Sequence, residues 1–333
     1  MAGDDAACGA GLPQRYAPAL LDDEAVEARP LRLQASQFTG AHAARPEHLT
    51  ELFRALACLA EPPGLETDRV AGLLELPGRA DAADYTELFG LQLWPYASIY
   101  VGAEGKLGGE ARDRVAGFWR ALHLTPPAEP DHLAALLGLY ATLADSEASE
   151  LDPARRQLRR SSRHALLWEH LLSWLPPYVA KLEEIASPFY TAWGDLLREA
   201  LIGEARAFGA PDQLPLHLRE APALPNPQVD GADVFLASLL APVRTGMVLV
   251  RDDLGRAARE LGLGLRQGER AYVLKALLGQ EPAATLKWLA GEAGRWADIH
   301  ASMPEELEPV RSFWSRRAQA GAQLIASLSP ILA

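Results

Sequence analysis

The apolar positions of this 333-residue chain recur at helical spacing over most of its length. Leu49, Leu52, Phe53, Leu56 and Leu59 fall three or four residues apart and form one stripe of an α-helix. Glu61-Pro62-Pro63-Gly64 ends that helix. A second is predicted from Thr67, burying Val70, Leu73 and Leu74 and stopping at Leu76-Pro77-Gly78. A short helix over 85–93 turns Leu88 and Phe89 inward and is broken by Pro95. Gly102, Gly105, Gly108 and Gly109 mark a loop. The next helix, about 110–122, buries Val115, Phe118, Trp119 and Leu122. Pro126-Pro127-Ala128-Glu129-Pro130 is a rigid connector, and Pro130 suits the first turn of a helix carrying Leu133, Leu136, Leu137, Tyr140 and Leu143. Pro153 opens a long helix with His164, Leu167, Trp168, Leu171, Leu172 and Leu175 on its apolar face, closed by Pro176-Pro177. Ser187 and Pro188 then cap and start a helix that runs to Gly209, with Trp193, Leu196, Leu197, Leu201 and Ile202 inside.

The periodicity lapses twice. Residues 1–45 are rich in Ala, Gly and Asp and read as an arm with one short helix near 20–28. Residues 209–230 contain Pro211, Pro215, Pro222, Pro225 and Pro227, the composition of a linker. Helical spacing resumes beyond it, at about 231–240, 252–262, 267–278, 282–297 and 304–329. Ser302-Met303-Pro304-Glu305 fits a capping box at the start of the last helix. Residues 247–250 form a short extended piece. The predicted layout is a flexible arm (1–45), a helical domain (46–208), a linker (209–230) and a C-terminal helical extension (231–333). The fold class is all-α.

Composition adds limits to this picture. Apolar residues make up 49% of the chain and charged residues 23%, enough for a real core. With 32 basic and 44 acidic residues the net charge is −12. Such a chain is a poor general ligand for phosphate backbones and a suitable one for cationic peptides, although solubility alone accounts for the charge equally well. Cys8 and Cys58 share no CxxC spacing, which fits a reducing compartment. No run approaches the roughly 18 apolar residues of a membrane helix, and Met1-Ala2-Gly3-Asp4-Asp5 lacks the layout of an export signal. The expected location is the cytoplasm, without stable membrane insertion. G-x-S-x-G, HExxH, GxGxxG and P-loop signatures are missing, so no enzyme is expected.

Two segments carry candidate chemistry. In Glu129-Pro130-Asp131-His132, the proline fixes a helix entrance, Asp131 falls in its first turn near unpaired amides, and His132 lies beside it. Ordinary helix-start chemistry explains this pattern; an acidic rim that meets an arginine guanidinium explains it too. Pro95-Tyr96-Ala97-Ser98-Ile99-Tyr100 offers Tyr96, Ser98 and Tyr100 as apolar faces with polar tips, suited to a peptide groove or to a core with satisfied hydroxyls. His164, Trp168, His170 and Trp174 read as core packing. Arg251-Asp252-Asp253 and the residues to Leu278 fit two packed helices, and also a helix-turn-helix, against which the global acidity argues.

The ordered set of motifs resembles the TorD/DmsD/NarJ group of redox-enzyme maturation chaperones over roughly residues 46–208. The set runs from Leu52-Phe53 and Leu59-Ala60-Glu61-Pro62-Pro63 through Leu88-Phe89 to the two segments above. It continues with His170-Leu171-Leu172-Ser173-Trp174-Leu175-Pro176 and Ser187-Pro188-Phe189-Tyr190. The resemblance implies a TorD/DmsD-like helical bundle, here with an additional C-terminal helical unit. It implies a cytoplasmic chaperone that holds the catalytic subunit of a molybdopterin oxidoreductase by its twin-arginine signal peptide until cofactor insertion. The signal-peptide contacts it implies are Tyr96, Ser98, Tyr100, Glu129, Pro130, Asp131 and His132, converging as an apolar trough with an acidic lip. It implies no resident cofactor and no metal, and leaves open a transient contact with molybdopterin guanine dinucleotide or a guanine nucleotide. Nucleic acid is not an expected partner, and both monomer and dimer fit. The chain departs from the group by lacking glutamate in residues 134–139 and by carrying the extension. A helical adaptor binding a folded partner through the extension is the alternative, and a helix-turn-helix regulator the remaining one.

Overall fold

Leu52, Phe53, Leu56 and Leu59 are buried along one face of the helix Pro46–Leu59, as their spacing requires. The computed structural model describes residues 46–328; the predicted arm and its helix near 20–28 lie outside them. That first helix packs along Leu133–Ser149, where Phe53 and Tyr140 meet with ring centroids 4.5 Å apart. Pro188–Phe208 lies against the same helix, and the Trp193 indole donates to the Leu56 carbonyl at 3.2 Å. Arg54 and Asp145 pair across the first interface. The described residues form an all-α fold without strands.

Local chemistry explains most helix ends. Asp152 accepts from the amides of Ala154 and Arg155, and Pro153 follows at the first helical position. Asp81 caps Ala82–Tyr85 through the Ala83 amide. Two helices then widen into π-type turns, Thr86–Gln92 and Leu166–Leu171, with Leu93 donating to Leu88 and Leu172 to Leu167. The second widening corrects the long helix predicted from Pro153. The chain turns after Leu171, and Pro176-Pro177 open the next helix, Leu175–Ile185, instead of closing the previous one. In a first turn their missing amides cost nothing. Leu73, expected inside, is 45% exposed, while Leu74 turns in. Ser302 donates to the Ile299 carbonyl, and the 3-10 turn Glu305–Leu307 is preceded by Pro304, so the predicted capping box does not form.

Residues 231–328 contain the main helices Ala232–Ser238, Arg251–Leu261, Arg270–Gln280, Pro282–Ala301 and Glu308–Leu328. The last two pack along each other and bury Trp296 and Trp314. This part lies directly on the first. The Trp314 indole donates to the Ser173 carbonyl at 3.2 Å, and Arg244 donates to the Ala103 carbonyl at 2.6 Å. Gly105 shows how close the approach is: at φ +62°, a Cβ there would stand 2.7 Å from Ala241 Cα. Between the two parts, residues 209–230 include the helical turns Leu216–Arg219 and Pro227–Asp230, and His217 and Leu218 are buried.

Charge is buried in two places. Arg163 pairs with Glu147 at 2.9 Å and with Glu204, which also accepts from the Tyr140 hydroxyl. The second place is a closed cycle of alternating sign. Lys181, fully buried, meets Asp253 at 3.0 Å and Glu184; Glu184 meets Arg295; Arg295 meets Glu292; Glu292 and Asp253 both meet Arg256 at 3.1 Å. Lys181 and Glu184 come from Leu175–Ile185, and the other four from the extension.

Candidate functional site

The segments around Tyr96 and His132 cross. Among the described residues theirs is an isolated antiparallel bridge. The Ala97 amide donates to the Asp131 carbonyl at 3.0 Å, and the Leu133 amide donates to the Pro95 carbonyl at 2.8 Å. The Asp131 side chain, 1% exposed, accepts from the Ser98 amide at 3.1 Å. Ser98 lies in the first turn of the five-residue helix Ala97–Val101. Asp131 was expected in the first turn of its own helix, with Pro130. It satisfies the start of a different helix instead, and Leu133–Ser149 begins two residues later with His132 as its cap. Pro130 is buried ahead of that helix.

His132 caps through its ring: Nδ1 accepts from the Ala134 amide at 3.2 Å. Burial pushes its pKa down to about 4, so the ring is neutral near pH 7 and free to accept. It stands edge-on to Tyr96 with centroids 4.9 Å apart.

The expected contact residues therefore divide by depth. Tyr100 is 2% exposed; it stacks on Trp174 at 5.1 Å, stands edge-on to Tyr178, and donates to the Trp94 carbonyl at 2.9 Å. Ser98 is buried and its hydroxyl accepts from the Gly108 amide. Asp131, Pro130 and His132 are interior as well. Tyr96 is half-buried and Glu129 exposed, joined by a hydrogen bond from the Tyr96 hydroxyl at 2.9 Å. The two segments meet, but the trough beneath Tyr96 is filled by the protein's own rings.

Two residues that sequence reasoning did not single out complete the surface. Glu61 follows the first helix, and Tyr85 precedes the π-type turn. Burial first, and the Glu129 charge next, raise the Glu61 carboxyl pKa. Burial first, then Glu61 and Glu129, raise that of the Tyr85 hydroxyl well above the usual phenol range. Contacts join the four: the Tyr85 hydroxyl donates to the Ala60 carbonyl at 3.5 Å, Glu61 stands 3.9 Å from His132 Nδ1, and His132 lies edge-on to Tyr96, which bonds Glu129. The nearest cation candidate, His132 Nδ1 at 3.9 Å from Glu61, is neutral near pH 7. Among the described residues neither glutamate has a Lys or Arg within ion-pair distance. Glu61 did appear in the Glu61-Pro62-Pro63 motif, but nothing in the sequence marks its approach to Glu129. Arg112 fixes the connector by donating to the Ala128 carbonyl at 2.9 Å.

Residues 45–180 match the nitrate reductase delta subunit family. That family consists of molybdoenzyme maturation chaperones, the group that the motifs resemble. No curated protein matches the chain. The delta-subunit match holds both crossing segments, Glu61 and Tyr85, and stops one residue before Lys181. The matched region carries Glu61 and Glu129, neither with a Lys or Arg within ion-pair distance among the described residues, beside Tyr85 and Tyr96. No helix among the described residues is long and apolar enough to cross a membrane.

Asp131 acts as the clamp of this surface. Asp131→Ala is expected to lower stability by about 1–3 kcal/mol, since a buried amide loses a charge-assisted partner. Amide hydrogen exchange should speed up at Ser98, and Asp131→Asn, which keeps an acceptor, should recover most of the loss. Unchanged exchange at Ser98 in Asp131→Ala would remove the clamp role.

Proposed function

We propose that this protein is a cytoplasmic, non-enzymatic chaperone that binds the twin-arginine leader of a molybdopterin oxidoreductase catalytic subunit. It holds the precursor back until the cofactor is in place, and needs no resident cofactor to do so. The observation that carries the reading is the pair Glu61 and Glu129 on one surface: Glu61 stands 3.9 Å from His132 Nδ1, His132 lies edge-on to Tyr96, Tyr96 bonds Glu129, and neither carboxylate has a Lys or Arg partner among the described residues. A guanidinium placed there relieves the repulsion, forms paired bonds to carboxylate and packs on the Tyr85 and Tyr96 rings. Of the seven expected contacts, Tyr96 and Glu129 make direct contact. Ser98, Tyr100, Pro130, Asp131 and His132 shape the surface from below.

A labelled twin-arginine leader titrated into the full-length protein tests the reading. Charge reversal at either carboxylate, Glu61→Lys or Glu129→Lys, should weaken binding at least tenfold, about 1.4 kcal/mol or more. Replacing both leader arginines by glutamine should have a similar effect, and affinity should fall as salt rises. Equal affinity of the parent and both variants for the leader would refute the assignment.

A further inference from the structure

The π-type turn Thr86–Gln92 leads away from Tyr85 to a cleft of about 340 Å³, walled on its far side by the extension. Its lining is opposite in sign to the glutamate pair. Arg251 and Arg259 extend into it from one helix, and Arg266 from the loop that follows. Among the described residues none of the three has a carboxylate within ion-pair distance. The acids of the lining, Glu87 and Asp252, both accept from the Gln92 amide, at 2.7 and 2.9 Å. Leu91 and Leu265 line the same cleft and are 44% and 55% exposed. An acidic chain thus holds three guanidinium groups without ion-pair partners, against two carboxylates engaged by Gln92, together with exposed leucine.

We propose that this cleft binds an extended acidic peptide with interspersed apolar residues, presented by a partner protein. The spacing of the cations favours a chain over a single compact anion. Arg251 and Arg259 are eight positions apart, about 12 Å along a helix. No crown of free amides gathers them around one centre. The Val250 amide is taken by Asp253 at 2.9 Å and the Asp252 amide by the Gln92 side chain at 3.2 Å. Carboxylates along a strand can each take one guanidinium, and the residues between them cover Leu91 and Leu265. A cationic leader is repelled here, so this site stands apart from the Glu61–Glu129 surface and does not depend on its assignment.

The probe is a fluorescein-labelled decapeptide of alternating glutamate and leucine, titrated by anisotropy into the full-length protein at low salt. Saturable binding is expected, at least tenfold tighter than to the glutamine–leucine or lysine–leucine peptides. Arg259→Glu and Leu265→Asp, both at exposed positions, should each weaken it tenfold or more with an unchanged melting temperature. A peptide of glutamate alone binding equally well would overturn the proposal, because the leucines would then contribute nothing. Undiminished affinity in Arg259→Glu would overturn it too. The twin-arginine leader is titrated into the same variants. Unchanged leader binding is expected, and its loss in Arg259→Glu would overturn the separateness of the two sites.

Discussion

Lys181→Met should lower the unfolding free energy by about 3 kcal/mol, read as a reduced denaturant midpoint at constant m-value. The ammonium group is fully buried between Asp253 at 3.0 Å and Glu184, and stands 5.2 Å from the centre of the Trp296 ring. Removing it leaves three anions and two cations, with Asp253 and Glu292 buried and Arg256, Arg295 and Glu184 partly exposed. Asp253 retains Arg256 and the Val250 amide, and Glu184 retains Arg295, which keeps the loss near the lower end for a broken buried pair. The damage should be felt first where the cycle ties elements together. Amide exchange should accelerate in Arg251–Leu261 and Pro282–Ala301 before it does in Pro46–Leu59. A loss below about 1 kcal/mol would mean that the cycle reorganises around the missing charge.

Acidification should destabilise the protein steeply between pH 6.5 and 5, well above the range in which ordinary carboxylates titrate. Burial pushes the pKa values of His132, His170 and His300 down to about 4 and that of His217 to about 3, from a usual value of 6.5. Their folded forms stay neutral in this window while the unfolded chain takes up protons. The unfolded state thus binds more protons, and stability falls as pH falls. Each ring costs up to about 1.4 kcal/mol per pH unit, so the four together cost on the order of 5 kcal/mol or more by pH 5. That is comparable with the whole stability of a typical domain. Below about pH 4.5, Glu184 and Glu292 add to the loss, since their arginine partners hold them below the usual carboxylate range. Denaturant midpoints at pH 7, 6 and 5 measure the slope. His217→Gln should make it shallower, because it removes one of the four titrating rings, a ring whose two nitrogens are buried without a hydrogen bond. A flat profile from pH 7 to 5.5 would mean that the rings accept protons in place.

The helices were legible because their apolar stripes are local facts. Leu52, Phe53, Leu56 and Leu59 specify a buried face whatever lies opposite. The proline pair at 176–177 misled because a proline reads the same after one helix as before the next. The intervening π-type turn, Leu166–Leu171, has no composition that marks it. The site was half legible. Its two segments follow from the motif order and do meet, as the Tyr96–His132 bridge shows. Depth was not legible: Tyr100 and Asp131 are as polar-tipped as Tyr96 and Glu129, and only the tertiary fold sends the first pair inside. The role of Asp131 was hidden because the amide it satisfies belongs to a helix 33 residues earlier. The same applies to Lys181, a residue type that rarely enters an interior and whose partner Asp253 is 72 positions away.

The Ser173 carbonyl waits for Trp314, 141 residues downstream, and Lys181 waits for Asp253. At the usual 5–20 residues per second of synthesis, the ribosome needs roughly 6 to 24 seconds to deliver the last helix after Pro188–Phe208 has been made. During that interval the Lys181 ammonium lacks Asp253 and the Ser173 carbonyl lacks the Trp314 indole. The chain thus passes through an unprotected stage before the extension arrives, and cellular holding factors should engage it in that interval.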